Sequence, residues 1–137
     1  MTRSTYTFPY RFIDTTKFPR PYIPVTLRSK QREMQPMLAL VDSGADFCMF
    51  DGALLELLAP DLNLNTLEQI SLGGVAGVAT GYVLHLEMGV EGHFFPTPAV
   101  FSFDFSPDEF GGLAGQLGFF DTYTVEFQRK AMQFVLR

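Results

Sequence analysis

Asp42 is the residue whose surroundings most favour chemistry. It follows the apolar run Ala39-Leu40-Val41 and precedes Ser43-Gly44-Ala45-Asp46. A short continuous apolar run suits a buried strand, so the pattern is that of a strand delivering a carboxylate at its end. Gly44 permits close backbone approach and unusual dihedrals, and Ser43 can hydrogen-bond locally and hold the turn. A carboxylate that must meet another chain's carboxylate at short range needs this setting, and two such groups can work a water by general acid–base catalysis. Taken alone, Asp-Ser-Gly is also an ordinary turn, so its meaning depends on the rest of the chain.

Other reactive residue types offer less. Cys48 is the only cysteine, so an intramolecular disulfide is impossible and a cysteine-based zinc site has no ligand set. Set among Phe47, Met49 and Phe50, it reads as a small hydrophobe rather than a nucleophile. His85 falls on the polar side of the alternating run Val83-Leu84-His85-Leu86, and His93 begins a strand beside Gly92. Neither has a second His or paired carboxylate at metal spacing, so no metal site and no cofactor are expected. Asp104, Asp108 and Glu109 read as a solvated acidic loop, because their spacing lacks the dense oxygen ligands of a calcium site. Arg28 to Arg32 reads as a solvated turn. Phe94, Phe95, Phe101, Phe103 and Phe105 read as core and cleft wall.

The elements that must position Asp42 are mostly strands. Pro21 to Leu27 alternates and is rich in β-formers; Met37 to Val41 is the short apolar strand that ends at Asp42. Phe47 to Phe50 is a second short apolar run. Asp51 is placed to cap a helix through Ala53 to Leu58, which Pro60 stops. Leu67 to Leu72 and Val78 to Met88 flank the glycine-rich turn Gly73-Gly74-Val75-Ala76-Gly77, a hairpin signal. His93 to Phe105 reads as a strand in which Pro96 and Pro98 imply an edge or bulge. Ser106 to Gly112 is a loop, with Gly111-Gly112 as its hinge. Leu113-Ala114-Gly115 is a short buried strand, followed by a brief helix over Gln116 to Asp121. Thr122 to Phe127 and Met132 to Leu136 close the chain as strands about the turn Gln128-Arg129-Lys130.

The 137 residues fit one domain, 1–137, and a 47% hydrophobic, 18% charged composition supports a real core. Fifteen Phe and five Tyr supply bulky packing material. A net charge of −5 argues against nucleic acid, which needs clustered Lys and Arg. The N-terminus lacks the apolar core of a signal peptide, and no apolar stretch approaches the roughly 20 residues of a membrane helix. The expectation is a cytoplasmic protein with no membrane partner. Its fold class is mainly β, a closed barrel-like domain with one or two short helices.

The block Leu38 to Phe50 resembles the active-site segment of retropepsins, the retroviral-type, single-domain aspartic proteases also found among bacterial proteins: apolar residues, then Asp-Ser-Gly-Ala, then Asp. Leu113-Ala114-Gly115-Gln116-Leu117-Gly118-Phe119-Phe120-Asp121-Thr122-Tyr123 resembles the second signature of that family, a strand passing behind the active-site loop with a short helix after it. Between the two lies the Gly73 to Gly77 hairpin, where the family has its flap. The resemblance runs from about Pro21 to Leu136; Ala114 is smaller than the Leu or Ile usual before the Gly.

The resemblance implies the acid protease fold and an aspartic endopeptidase. One chain carries one Asp-Ser-Gly, so it implies a symmetric homodimer in which two copies of Asp42 meet on the two-fold axis. The Met1 to Phe12 arm and the Met132 to Arg137 strand would supply the interface. By the same resemblance Ser43 braces the loop across the dimer, Gly44 and Ala45 line the site, and Asp46 holds substrate main chain. Gly73, Gly74, Val75, Ala76 and Gly77 would close over an extended peptide or protein substrate. The alternatives are a non-catalytic dimeric module of the same fold that binds peptides or only dimerises, and a small ligand-binding β-barrel of other ancestry.

Overall fold

The structure is a computed structural model that describes residues 4–13, 18–74, 77–107 and 111–137. The alternating stretch after Pro21 forms β2 (Tyr22–Arg28), in which Ile23, Val25 and Leu27 face inward and are buried. Period-two alternation of this kind gives one buried and one outer face. β3 (Met37–Val41) ends one residue before Asp42, and β4 (Cys48–Asp51) follows the loop. β5 (Glu68–Gly74) and β6 (Gly77–Val90) form the long hairpin, and β7 (His93–Ser102) returns beside β6. β8 is only Gly112–Ala114.

Six of these strands close on themselves. The order β2-β3-β8-β4-β7-β6 returns to its start because Thr26, Leu27 and Arg28 of β2 pair with Gly89, Met88 and Glu87 of β6. Closure leaves the ring without an open edge. β5 stays outside the ring and, among the described strands, pairs only with β6, with which it forms the β5–β6 hairpin. The interior is filled by side chains such as Ile23, Leu27, Phe50, Met88 and Phe101, each fully buried. That filling counts against a barrel built to enclose a small ligand. A smaller three-stranded sheet joins β1 (Tyr6–Pro9), β10 (Gln133–Leu136) and β9 (Val125–Gln128) in the order β1-β10-β9. Phe8 stacks on Phe134 there, with ring centroids 5.3 Å apart. No helix is long and apolar enough to cross a membrane among the described residues.

Several local expectations need adjustment. The first helix, α1, is Leu54–Leu58, and Asp51 closes β4 while its Oδ1 accepts the Ala53 N–H at 2.9 Å. The second, α2, is Phe119–Thr122, so Thr122 ends a helix and the next strand starts at Val125. β7 stops at Ser102 rather than Phe105. Pro96 and Pro98 sit where β7 has β6 on one side and no pairing to β4, which joins only from Ala99 onward; the ladder N–H that Pro lacks is tolerated at such an edge. Arg28 is not simply solvated: its guanidinium lies 3.6 Å from the Phe94 ring centroid and 3.3 Å from Glu87.

Gly111-Gly112 is not a hinge either. Gly112 is buried in β8, and a Cβ there would run into the Phe50 ring and the Met49 carbonyl oxygen. The glycine is what lets β8 lie flat between its neighbours. Gly112→Ala should therefore cost about 1–3 kcal/mol by overpacking, lowering the urea midpoint with little change in slope. Gly73→Ala, with open space around its Cβ, should stay within about 0.5 kcal/mol of the parent. Equal midpoints for both variants would contradict this packing.

Candidate active site

The Asp42 loop is held by the strand that threads behind it. β8 lies between β3, which it joins in parallel through Val41 and Ala114, and β4, which it joins antiparallel through Met49 and Leu113. The Asp42 N–H donates to the Ala114 carbonyl at 3.0 Å, fixing the residue at the end of β3. Beyond β8 the chain continues alongside the loop. The Gln116 N–H donates to the Ala45 carbonyl at 2.8 Å and the Leu117 N–H to the Asp46 carbonyl at 2.9 Å. The Gln116 side-chain Nε2 donates to the Ser43 carbonyl at 2.7 Å. Each carbonyl of Ser43, Ala45 and Asp46 thus has a donor from the 116–117 segment.

Within the loop, Asp42 is half-buried, and its Oδ1 accepts the Gly44 N–H at 2.9 Å. A donor on a carboxylate is a charge-assisted bond and restrains its rotation. The Ala45 N–H donates to the Asp42 carbonyl at 3.2 Å, which closes the turn. A Cβ at Gly44 would stand 3.3 Å from Asp42 Oδ1, tight enough to disturb that carboxylate. Gly115 is more constrained: a Cβ there would overlap the Phe47 carbonyl and come within 2.8 Å of the Ala45 oxygen. Glycine at 115 is what allows the two backbones to lie against each other. The smaller Ala114 is fully buried and fits without distorting the ladder.

The sequence-predicted residues Asp42, Ser43, Gly44, Ala45 and Asp46 form one continuous turn, with Ser43, Gly44 and Asp46 exposed. The glycine hairpin also forms: Gly73 pairs with Val78 and Gly74 with Gly77. Gly77 has φ +115°, a left-handed conformation that favours glycine. Val75 and Ala76 lie outside the described residues, as do Asp108 and Glu109. His85 and His93 are exposed. A groove of about 520 Å³ lies at the other end of β3 from Asp42, bordered by Met37, Asp51, Leu57 and Gly111. The terminal segments expected at a subunit interface pair with each other inside the chain: β10 has β1 on one side and β9 on the other. Among the described residues, β10 is thus paired on both sides within the chain, and the outer sides of β1 and β9 are the edges of that sheet.

Two residues contribute more than their sequence context announced. Gln116 was expected to open a brief helix; it lies ahead of α2 instead, and its long-range bond to Ser43 comes from folding. Cys48 packs as a hydrophobe, fully buried, but its sulfur also joins the loop supports: it accepts the Gly115 N–H at 3.4 Å and donates to the Leu117 carbonyl at 3.6 Å. Burial pushes the thiol above its ordinary 9.0, partly offset by backbone donors from Gly115 and Phe119.

Among solved structures, the chain is similar to that titled EIAV protease complexed with the inhibitor HBY-793, with a TM-score of 0.53 and 20% sequence identity. The match covers 71% of this chain and 82% of that one. No protein-family model matches the sequence, and no curated protein does. At that identity the likeness speaks for the fold. The fold is the retropepsin one: a mainly β chain with a closed six-stranded barrel and two short helices.

The raised thiol makes a prediction about pH. A group whose folded pKa exceeds its unfolded one gives stability that is complete below the unfolded value and is lost as pH rises through the folded value. Cys48 should therefore destabilise the protein progressively above about pH 9, and Cys48→Ala should lose that part of the slope. Denaturant titrations of both proteins between neutral pH and pH 10 test this; identical slopes would mean that the thiol ionises equally in both states.

Proposed function

We propose that the chain is one half of an aspartic endopeptidase, completed by a second copy, with Asp42 of each copy as the catalytic pair. The observation that carries this reading is the Asp42 turn itself. A half-buried carboxylate stands at the end of a barrel strand, its Oδ1 held by the Gly44 N–H, with β8 and the 116–117 segment bracing the loop from behind. The retropepsin fold gives the turn its precedent. One carboxylate alone does not suffice, and 137 residues hold one such turn.

In the assembled pair, two carboxylates about 3 Å apart would share one proton, because both cannot be ionised at that range. One would take a proton from the water held between them while the other, protonated, donates to the scissile carbonyl. Water attacks the carbonyl carbon to give a tetrahedral diol, with no acyl-enzyme. The diol would collapse with scission of the C–N bond as the carboxyl that took the proton passes it to the leaving nitrogen. The exposed Ser43 and Gly44 would face the partner's loop, Ala45 would line the site and Asp46 would hold the substrate main chain. The β5–β6 hairpin, with the Gly73 to Gly77 stretch as the expected flap, would close over an extended peptide and exclude water.

Asp42→Asn should abolish cleavage of a peptide library while leaving the fold and assembly in place. Specific activity of the parent should fall on dilution, in step with dissociation followed by sedimentation, since half a site does no chemistry. Near-normal turnover by Asp42→Asn, or constant activity per chain where sedimentation finds monomers, would overturn the shared-site reading. A stable dimer that cuts no peptide would favour a non-catalytic peptide-binding or dimerisation module of the same fold.

A further inference from the structure

We propose that Gln116 is a positioning residue that orients the Asp42 carboxylate through the Ser43–Gly44 peptide group; this rests on the catalytic reading of Asp42. The two bonds that matter belong to one planar unit. Gln116 Nε2 donates to the Ser43 carbonyl at 2.7 Å, and the N–H of the same peptide bond, on Gly44, donates to Asp42 Oδ1 at 2.9 Å. A trans peptide holds its C=O and N–H rigidly on opposite sides. Rotating this peptide out of place therefore breaks both bonds at once.

The identity of the side-chain amide atom follows from the partner. A backbone carbonyl only accepts, so the NH₂ end of Gln116 must face Ser43. Donation to the carbonyl polarises the peptide and strengthens the N–H on its other side, as in any hydrogen-bond chain. The far end of this chain is a carboxylate, where the bond is charge-assisted. Gln116 is itself anchored, since its own N–H donates to the Ala45 carbonyl at 2.8 Å and Leu117 donates to Asp46 beside it. Gln116 is exposed, so burial does not account for an amide here. The glycine at 44 supplies no side chain to hold its own peptide in place, and a Cβ there would crowd Asp42 Oδ1. Control of that peptide is thus delegated to a residue 73 positions away in sequence.

The test uses the full chain labelled with ¹⁵N, as the parent protein and as Gln116→Met and Gln116→Arg. Met matches the length of Gln but donates nothing, while Arg restores N–H donors. In Gln116→Met the Gly44 amide proton should move upfield and exchange about tenfold faster, as expected from losing one supporting bond. Amides of β3 and β8 should keep their positions. Peptide cleavage should show kcat reduced about tenfold with KM within about twofold, since the lost support acts on the reacting group rather than on substrate binding. Gln116→Arg should recover both the Gly44 signal and most of kcat. An unchanged Gly44 amide in Gln116→Met, or a loss expressed only in KM, would overturn the proposal. If the parent cuts no peptide yet its Gly44 amide responds as described, the positioning role stands and the proteolytic reading falls.

Discussion

The insertion of β8 between β3 and β4 is the constraint from which the site follows. β3 and β4 are the two sides of the Asp42 loop, and neither bonds the other directly at that point; each bonds β8. Remove that middle strand and the loop loses the acceptor for the Asp42 N–H, and the 116–117 segment that follows is no longer held where it donates to the Ser43, Ala45 and Asp46 carbonyls. Such partners matter most at the half-buried Asp42 and Ala45, because a buried backbone group left unpaired costs on the order of 1–3 kcal/mol. The short length of β8 is no weakness here, since each of its residues sits in the wall of a closed barrel. The two glycines on either side of this contact, Gly112 and Gly115, set how closely the strands can lie.

The sequence made the principal strands and the turn that carries Asp42 legible for physical reasons. Met37 to Val41 was recoverable to the residue because the run is short and continuously apolar, although only Ala39 and Val41 are buried. The Gly73 to Gly77 hairpin was recoverable because glycine is the residue that tolerates a positive φ, which Gly77 adopts. Other features depended on tertiary contacts. Gly111-Gly112 looked like a flexible hinge because glycine marks both mobility and tight packing, and only the Phe50 ring distinguishes them. Arg28 looked solvated because nothing in its neighbours in sequence reveals Phe94 beneath it. Gln116 carried no sequence signal as a support, since its partner lies across the fold.

The terminal sheet sharpens what a second copy must do. β10 is already satisfied on both sides by its own chain, and Phe8 and Phe134 are stacked beneath it. Opening that sheet to exchange strands would cost both the ladder bonds and the stacked pair. A second copy that joined this sheet without disturbing it would add onto an outer strand. β1 and β9 are those outer strands, and β9 carries Phe127 at 41% exposure on the face it shares with Phe134.

The central claim is that two Asp42 carboxylates form one site, and the distance between them in the assembled protein addresses it most directly. A crystal structure of the protein at a concentration where sedimentation shows dimers would supply that distance. The account predicts a two-fold axis through the site, with the carboxylates about 3 Å apart around a shared water. A dimer in which the two Asp42 side chains are separated by intervening protein, each facing its own solvent, would contradict it.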